Sequence, residues 1–505
     1  MKNVVLLKEL DVSKFDTSNV EDMSFMFQNC EKLKKIDVSN FNTTQVKSMS
    51  NLFGYCKSLT SIALEHFDTS NVIDMSNMFQ YCNDLKSLNV ASFNTEKVLD
   101  MSYMFHYCNG LKSLDLSNFR TSLVKDMSEM FDNCNSLEVL DLSNFDTSSV
   151  TNMWRMFQYC TTVTSFDLSS FDTSSVTDMS EMFKYCRGIT SIDLSNFVTE
   201  QVTDMSNMFS MCQLVTELKL NNFDTSKVTS MAGMFSNCDL LKQLEISKFN
   251  TEQVEDMNNM FFYCKYLTSL DVSKFNDGQV LNMNNMFSNC NSLTSLNLLN
   301  FKTQKVTSMK GMFENCNKLE YLDINNFDTS LITDMSSMFA GCKALKNIST
   351  NIFKTNNVKD MSNIFKDCTS LSELNLDNFN TSSVEKMTSF FQNCNSLTSL
   401  KIQKFDTSKV TDMQYMFKNC ALLTSLDLSN FDTTKVVNME EMFNSCTLLE
   451  SLDLRSFDFD SCEKYSSIFD NINNLTIMVN YEKFEKIINS LTPNITIINI
   501  TNLFN

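Results

Sequence analysis

Residues 111–136 read LKSLDLSNFRTSLVKDMSEMFDNCNS. Leu111, Leu114, Leu116 and Phe119 spell L-x-x-L-x-L-x-x-F. Leu114 and Leu116 alternate with Ser113 and Asp115, the period of a short strand with one buried face. Arg120-Thr121-Ser122 is a polar corner, where the threonine hydroxyl is expected to bond backbone in the turn. Met127, Met130, Phe131 and Cys134 then stand at offsets 0, 3, 4 and 7, which predicts one face of a helix of about two turns. Asp126 occupies the expected N-cap, at the positive end of that helix. A helix so short does not stand alone in water. The stretch therefore predicts a strand–corner–helix coil that holds only when neighbouring coils pack against it.

The same grammar recurs every 26 residues. Cysteine runs from Cys30 to Cys446 in that step, leaving only Cys462 off register, in a valine slot of the core. Phenylalanine does so twice, from Phe15 to Phe457 and from Phe27 to Phe469. No insertion interrupts 10–469, so the reading is one α/β repeat solenoid over 1–469. It has about 18 coils of 26 residues, a parallel sheet on one side and short helices on the other. The first coil lacks its helical half. This is expected to mark either a truncated chain or an uncapped N-terminal end that self-associates. The pattern decays after Phe457, where Phe459 replaces threonine. Residues 470–505 read as a capping unit: a strand over 475–479, a helix over 481–491, a break at Pro493 and a second strand over 495–500.

Seven glycines and one proline are too few to build every turn. Asn, Asp, Ser and Thr must do so. A net charge of −19 disfavours nucleic acid and anionic membrane surfaces as partners. No membrane span is present in the sequence pattern. Cysteines 26 apart do not match zinc-finger spacing, and the chain has two histidines, His66 and His106. The cysteines lie on the predicted apolar face and read as buried free thiols. The carboxylate columns that include Asp11, Asp37 and Asp115, and Asp16, Asp68 and Asp146, leave two readings. One is a solvated face with Asx-turns, the other calcium held between stacked carboxylates. No catalytic, cofactor or metal residue is assigned, because a surface repeated in every coil lacks the asymmetry of an active site.

The string M-x-x-M-F-x-x-C-x-x-L-x-x-L-x-L-S-x-F-x-T-x-x-V, present over 127–150, resembles BspA-like leucine-rich-repeat surface proteins. More closely, it is similar to mycoplasma surface-protein repeats of unknown function, over about residues 7–469. The resemblance implies a leucine-rich-repeat-like solenoid, displayed at a cell surface or secreted, that binds a host or cell-surface protein partner without catalysis. The N-terminal residues carry no export signal. The expected function is a protein-binding or adhesion scaffold acting through the exposed strand face. The alternatives are a self-associating surface array and a calcium-dependent module. Outward positions that change from coil to coil nominate Lys219, Glu245, Glu217, Gln243, Tyr321 and Glu320 as the partner-binding face.

Overall fold

In a computed structural model, residues 6–276, 278–488, 491 and 494–499 are described. The chain divides into two compact units, Met1–Thr251 and Glu252–Asn505. Each is a stack of 26-residue coils in parallel register. Residues 1–5 and the predicted break at Pro493 lie outside the described residues.

In the first unit, β1 (Ser113–Leu114) pairs with β2 (Val139–Leu140), and β3 (Ser191–Asp193) with β4 (Glu217–Lys219). In the second, β5 (Glu373–Asn375) pairs with β6 (Ser399–Lys401). There, too, β7 (Ser425–Leu426), β8 (Ser451–Asp453), β9 (Leu475–Val479) and β10 (Ile495–Asn499) form one parallel sheet. The predicted sheet is thus shorter and more broken than one strand per coil. An Asx-turn accounts for this: Ser117 N donates to Asp115 Oδ1 at 3.0 Å, and Phe119 N turns back to Leu116 O at 2.9 Å. Both amides leave the ladder just after the L-x-L, so the strand cannot lengthen. The longer ladder lies at the aspartate slot instead. Single parallel bridges link Asp22 through to Ser230 in the first unit and Asp256 through to Lys464 in the second.

The predicted short helices are not formed, and this is the main correction. Met127, Glu129, Phe131 and Asn133 donate their amides to the Asn152, Trp154, Met156 and Gln158 carbonyls of the next coil, at 2.8–3.1 Å. Met130, Asp132 and Cys134 donate to the carbonyls three residues back, at 3.1–3.3 Å. A helix would spend every amide within its own coil; here alternate amides serve the neighbour. Glu129 and Asn133 have φ of 51° and 59°, the positive φ that the third residue of a type II turn requires. Two consecutive four-residue turns place their first and last residues at offsets 0, 3, 4 and 7, so they bury the same face as a helix. Asparagine is the residue found most often in these slots, and Gly233, Gly311 and Gly341 also fall there, as left-handed backbone favours. Asp126 caps a turn rather than a helix, accepting from Ser128 N at 2.8 Å.

The threonine column bonds across coils, not within its own turn. Thr121 Oγ1 donates to Asp146 O at 2.8 Å and accepts from Asp146 N at 2.9 Å. One hydroxyl thereby satisfies both backbone groups of a residue in the next coil. Inside, the phenylalanines stack: Phe105–Phe131 and Phe131–Phe157 centroids are 5.7 and 5.9 Å apart with nearly parallel rings. All eighteen cysteines are buried. They are not inert filler, since Cys134 Sγ donates to Phe105 O at 3.3 Å, a contact repeated by Cys160 and Cys186. Burial pushes the Cys82 thiol up to about 12, so these sulfurs stay protonated donors.

Helix α1 (Tyr481–Ile488) follows β9 and is the α-helix among the described residues. It ends earlier than 491. Its Phe484 meets Phe459 edge-on at 5.0 Å. Lys486 Nζ donates to the Phe459, Asp460 and Cys462 carbonyls at 3.1, 3.1 and 2.7 Å. The lysine thus supplies donors at the coil where the threonine hydroxyl is missing.

The threonine geometry gives a direct expectation. Thr121→Val removes the part-buried hydroxyl that serves both the N–H and the C=O of Asp146, each bond worth about 0.5–1.5 kcal/mol. Thr121→Ser keeps the hydroxyl. Urea unfolding should show a large loss for valine and a small one for serine; equal losses would mean that volume, not the hydroxyl, holds the corner.

Candidate functional site

The six residues nominated for partner binding all lie on the exposed strand side of their coils. Glu217 and Lys219 flank the buried Leu218 in β4, opposite Ser191 and Asp193 of β3. Lys219 Nζ reaches Asp193 Oδ2 at 3.0 Å; two hydrogen bonds from Ser195, and after them the contact with Lys219, lower the Asp193 carboxyl to about 2. Gln243 and Glu245 occupy the corresponding exposed positions one coil on, and Glu245 borders a recess of about 160 Å³ with Leu220 and Lys248. In the second unit Tyr321 is 61% exposed, and Glu320 pairs with Lys346 at 2.8 Å. The two groups belong to different units.

The acidic columns resolve into turns. Ser148 N and Oγ both donate to Asp146 Oδ1, at 3.1 and 2.6 Å, and Ser169 treats Asp167 the same way. These bonds to the charged form lower the Asp16, Asp37, Asp115, Asp167 and Asp224 carboxyls. Among the described residues, neither column brings three donor groups within metal-binding distance of one another.

One cluster breaks the repetition, and it lies on the turn side of the first unit. His106 Nε2 is 3.3 Å from Glu129 Oε2 and 3.2 Å from Asp132 Oδ2; the three side chains are only 8%, 5% and 3% exposed. Gln80 Nε2 lies 3.2 Å from His106 Nδ1. Asp132 Oδ1 accepts from Asn133 Nδ2 at 2.8 Å and Gln158 Nε2 at 3.3 Å. Arg155 Nε bonds Glu181 at 2.7 Å, shared with Lys184 at 3.2 Å, and Arg155 keeps 3.7 Å from Glu129. Burial, more than any neighbouring charge, raises the Glu129 carboxyl. Desolvation and the charge of Glu129 push the Tyr103 hydroxyl up to about 12. A stacked tyrosine column, Tyr55–Tyr81–Tyr107 at 4.6 and 4.4 Å, is interrupted at Asn133 and resumes at Tyr159–Tyr185 at 4.2 Å. Trp154, the one tryptophan of the chain, lies under the Arg155 guanidinium at 4.4 Å and accepts the Glu129 amide on its carbonyl.

Sequence reasoning assigned no metal residue and passed over this cluster. Its signal was available: His106 and Asp132 stand 26 residues apart, hence in one column of adjacent coils, and Glu129 precedes Asp132 by one turn. The two-turn geometry brings these columns side by side.

Fold and repeat together define a leucine-rich-repeat-like parallel solenoid. The family described as "Mycoplasma protein of unknown function, DUF285" matches residues 2–113, 57–165, 101–218, 211–321, 307–400 and 391–491, and the chain belongs to that family. Comparison with curated proteins gives no match. Similar solved structures include a leucine-rich-repeat protein of Leptospira interrogans, at 12% identity, covering 97% of this chain and 99% of that one, TM-score 0.23. Another is a leucine-rich-repeat protein of Eubacterium ventriosum, at 12% identity, covering 88% and 83%, TM-score 0.21. A third is an internalin of Listeria monocytogenes, at 13% identity, covering 78% and 86%, TM-score 0.20. No helix among the described residues is long and apolar enough to cross a membrane.

The Asx-turn aspartates carry a pH consequence. A carboxyl lowered on folding contributes stability above its unfolded value, and that stability is lost as pH falls through the folded value. Asp100 and Asp178 oppose this, because burial raises them. The lowered set is larger, and Asp193 extends it down to about 2. The melting midpoint is expected to fall steadily from pH about 4 to about 2. A midpoint that rises over this window would show that the buried aspartates dominate.

Proposed function

We propose that this chain is a non-enzymatic protein-binding scaffold displayed at a cell surface or secreted, contacting a host or cell-surface protein through the exposed strand face around Lys219 and Glu245. The observation that carries the reading is a contrast within each coil. The interior repeats Phe, Met and Cys at the same positions from coil to coil, whereas the exposed strand positions change from Ser191 and Asp193 to Glu217 and Lys219 to Gln243 and Glu245. Stacking fixes the frame, and the outward side chains are free to encode a partner. The surface-display element rests on the likeness of the repeats to BspA-like surface proteins.

The test is charge reversal at the patch. Full-length Lys219→Glu/Glu245→Lys, with an unchanged melting midpoint, should lose about tenfold or more of its binding to intact host cells, as expected when buried charge pairs of an interface are inverted. Undiminished binding overturns the patch.

We further propose that residues 470–505 form a capping unit on the second unit. Pairing of β9 with β8 and the three carbonyls held by Lys486 support this. Lys486→Met should lower the thermal midpoint of the full chain, and an unchanged midpoint would remove the lysine from that role.

A further inference from the structure

We propose that His106 Nε2, a Glu129 carboxylate oxygen and an Asp132 carboxylate oxygen form a binding site for one divalent transition-metal ion of the zinc class, tying together two adjacent coils of the first unit. The distances support it. The three ligand atoms lie within 4.8 Å of one another, and the nitrogen is 3.3 and 3.2 Å from the two oxygens. Metal–nitrogen and metal–oxygen bonds of about 2.0–2.1 Å in tetrahedral array put ligands about 3.3 Å apart. The two nitrogen–oxygen separations thus already match tetrahedral edge lengths, and the two carboxylate oxygens lie within 4.8 Å of each other.

Charge supports it independently. Glu129 and Asp132 bring two carboxylates into a buried position. The nearby cations are engaged mainly with Glu181: Lys184 closes on it at 3.2 Å and Arg155 at 2.7 Å, while Arg155 reaches Glu129 only at 3.7 Å and has no ion pair with Asp132 among those of the described residues. One imidazole cannot neutralise two desolvated carboxylates, whereas a doubly charged ion can. One nitrogen and two oxygens favour a borderline first-row ion over calcium, which takes six to eight oxygens.

The surrounding amides fit the same purpose. Asn133 and Gln158 hold Asp132 Oδ1, which leaves Oδ2 facing the imidazole. Gln80 sits on Nδ1. With metal on Nε2, Nδ1 carries the proton and donates to the Gln80 carbonyl oxygen, which a half-turn of the amide brings to face it. Three protein ligands leave a fourth position for water. Among the described residues this is the one set of three His, Cys, Asp or Glu donors so placed. It falls where the tyrosine column is broken by Asn133.

The experiment titrates chelator-treated full-length protein with zinc chloride by calorimetry, in parallel with His106→Asn, Asp132→Asn and Glu181→Gln. The wild type is expected to take up one ion per chain and to melt at higher temperature with it. His106→Asn and Asp132→Asn should bind about a hundredfold more weakly or not at all, and Glu181→Gln should bind like the wild type. Gln80→Leu should weaken binding by about tenfold. Cobalt in place of zinc separates this site from the cysteines, since a histidine–carboxylate site gives visible d–d absorption without thiolate charge transfer. The proposal is overturned if the wild type takes up no zinc, if folded His106→Asn and Asp132→Asn bind as the wild type does, or if cobalt reports thiolate ligation. Should either variant fail to fold, zinc stoichiometry and the cobalt spectrum of the wild type decide between the same outcomes.

Discussion

Each coil must divide its backbone hydrogen bonds between itself and its neighbour, and the rest of the structure follows from how it does so. In the Met-to-Cys segment the division is strictly alternate. One amide closes a turn within the coil, and the next crosses to the adjacent coil. Neither a helix nor a plain strand has this property. A helix keeps all its bonds, and a strand needs neighbours on both sides for all of them. Alternation lets the chain turn through a tight corner while it still adds to a parallel stack. The cost is a positive φ twice in each coil, which explains the concentration of asparagine there. Side chains complete the ledger of buried polar groups: threonine hydroxyls serve as extra rungs, and cysteine thiols reach the phenylalanine carbonyls.

Much of this was legible in the sequence, and the failures have physical causes. The 26-residue period, the buried columns and the strand–helix–strand order beyond 470 were all readable, because burial imposes periodicity directly. The helix reading of Met127, Met130, Phe131 and Cys134 failed because two joined turns bury the same offsets. Apolar spacing records which residues face inward and is blind to where the amides point. Gly233 and Gly311, in the slot of Glu129, and Gly341, in the slot of Asn133, held the missing information, since a helix interior disfavours glycine. Thr121 was correctly expected to bond backbone, but its partner lies 25 residues away, beyond any local rule.

The polar cluster was missed for a different reason. Along the chain His106 was read only as one of two histidines, and Glu129 and Asp132, which follow it by 23 and 26 residues, look unrelated to it. In a stacked array, residues one period apart are spatial neighbours, so a site is spelled down the columns rather than along the rows. The exposed strand face shows the converse. Its composition was plain from sequence, whereas the Lys219–Asp193 contact across adjacent coils became visible only with the register in hand.

The placement of Trp154 gives the chain a built-in reporter. Its indole lies beneath the Arg155 guanidinium, beside the one cluster that departs from repeat symmetry. A stack of coils is expected to open locally before it opens as a whole. Emission from this single indole therefore describes the coils around 106–181 alone, while far-ultraviolet dichroism averages over every coil. The difference between the two signals would map where along the array unfolding begins, with no label added.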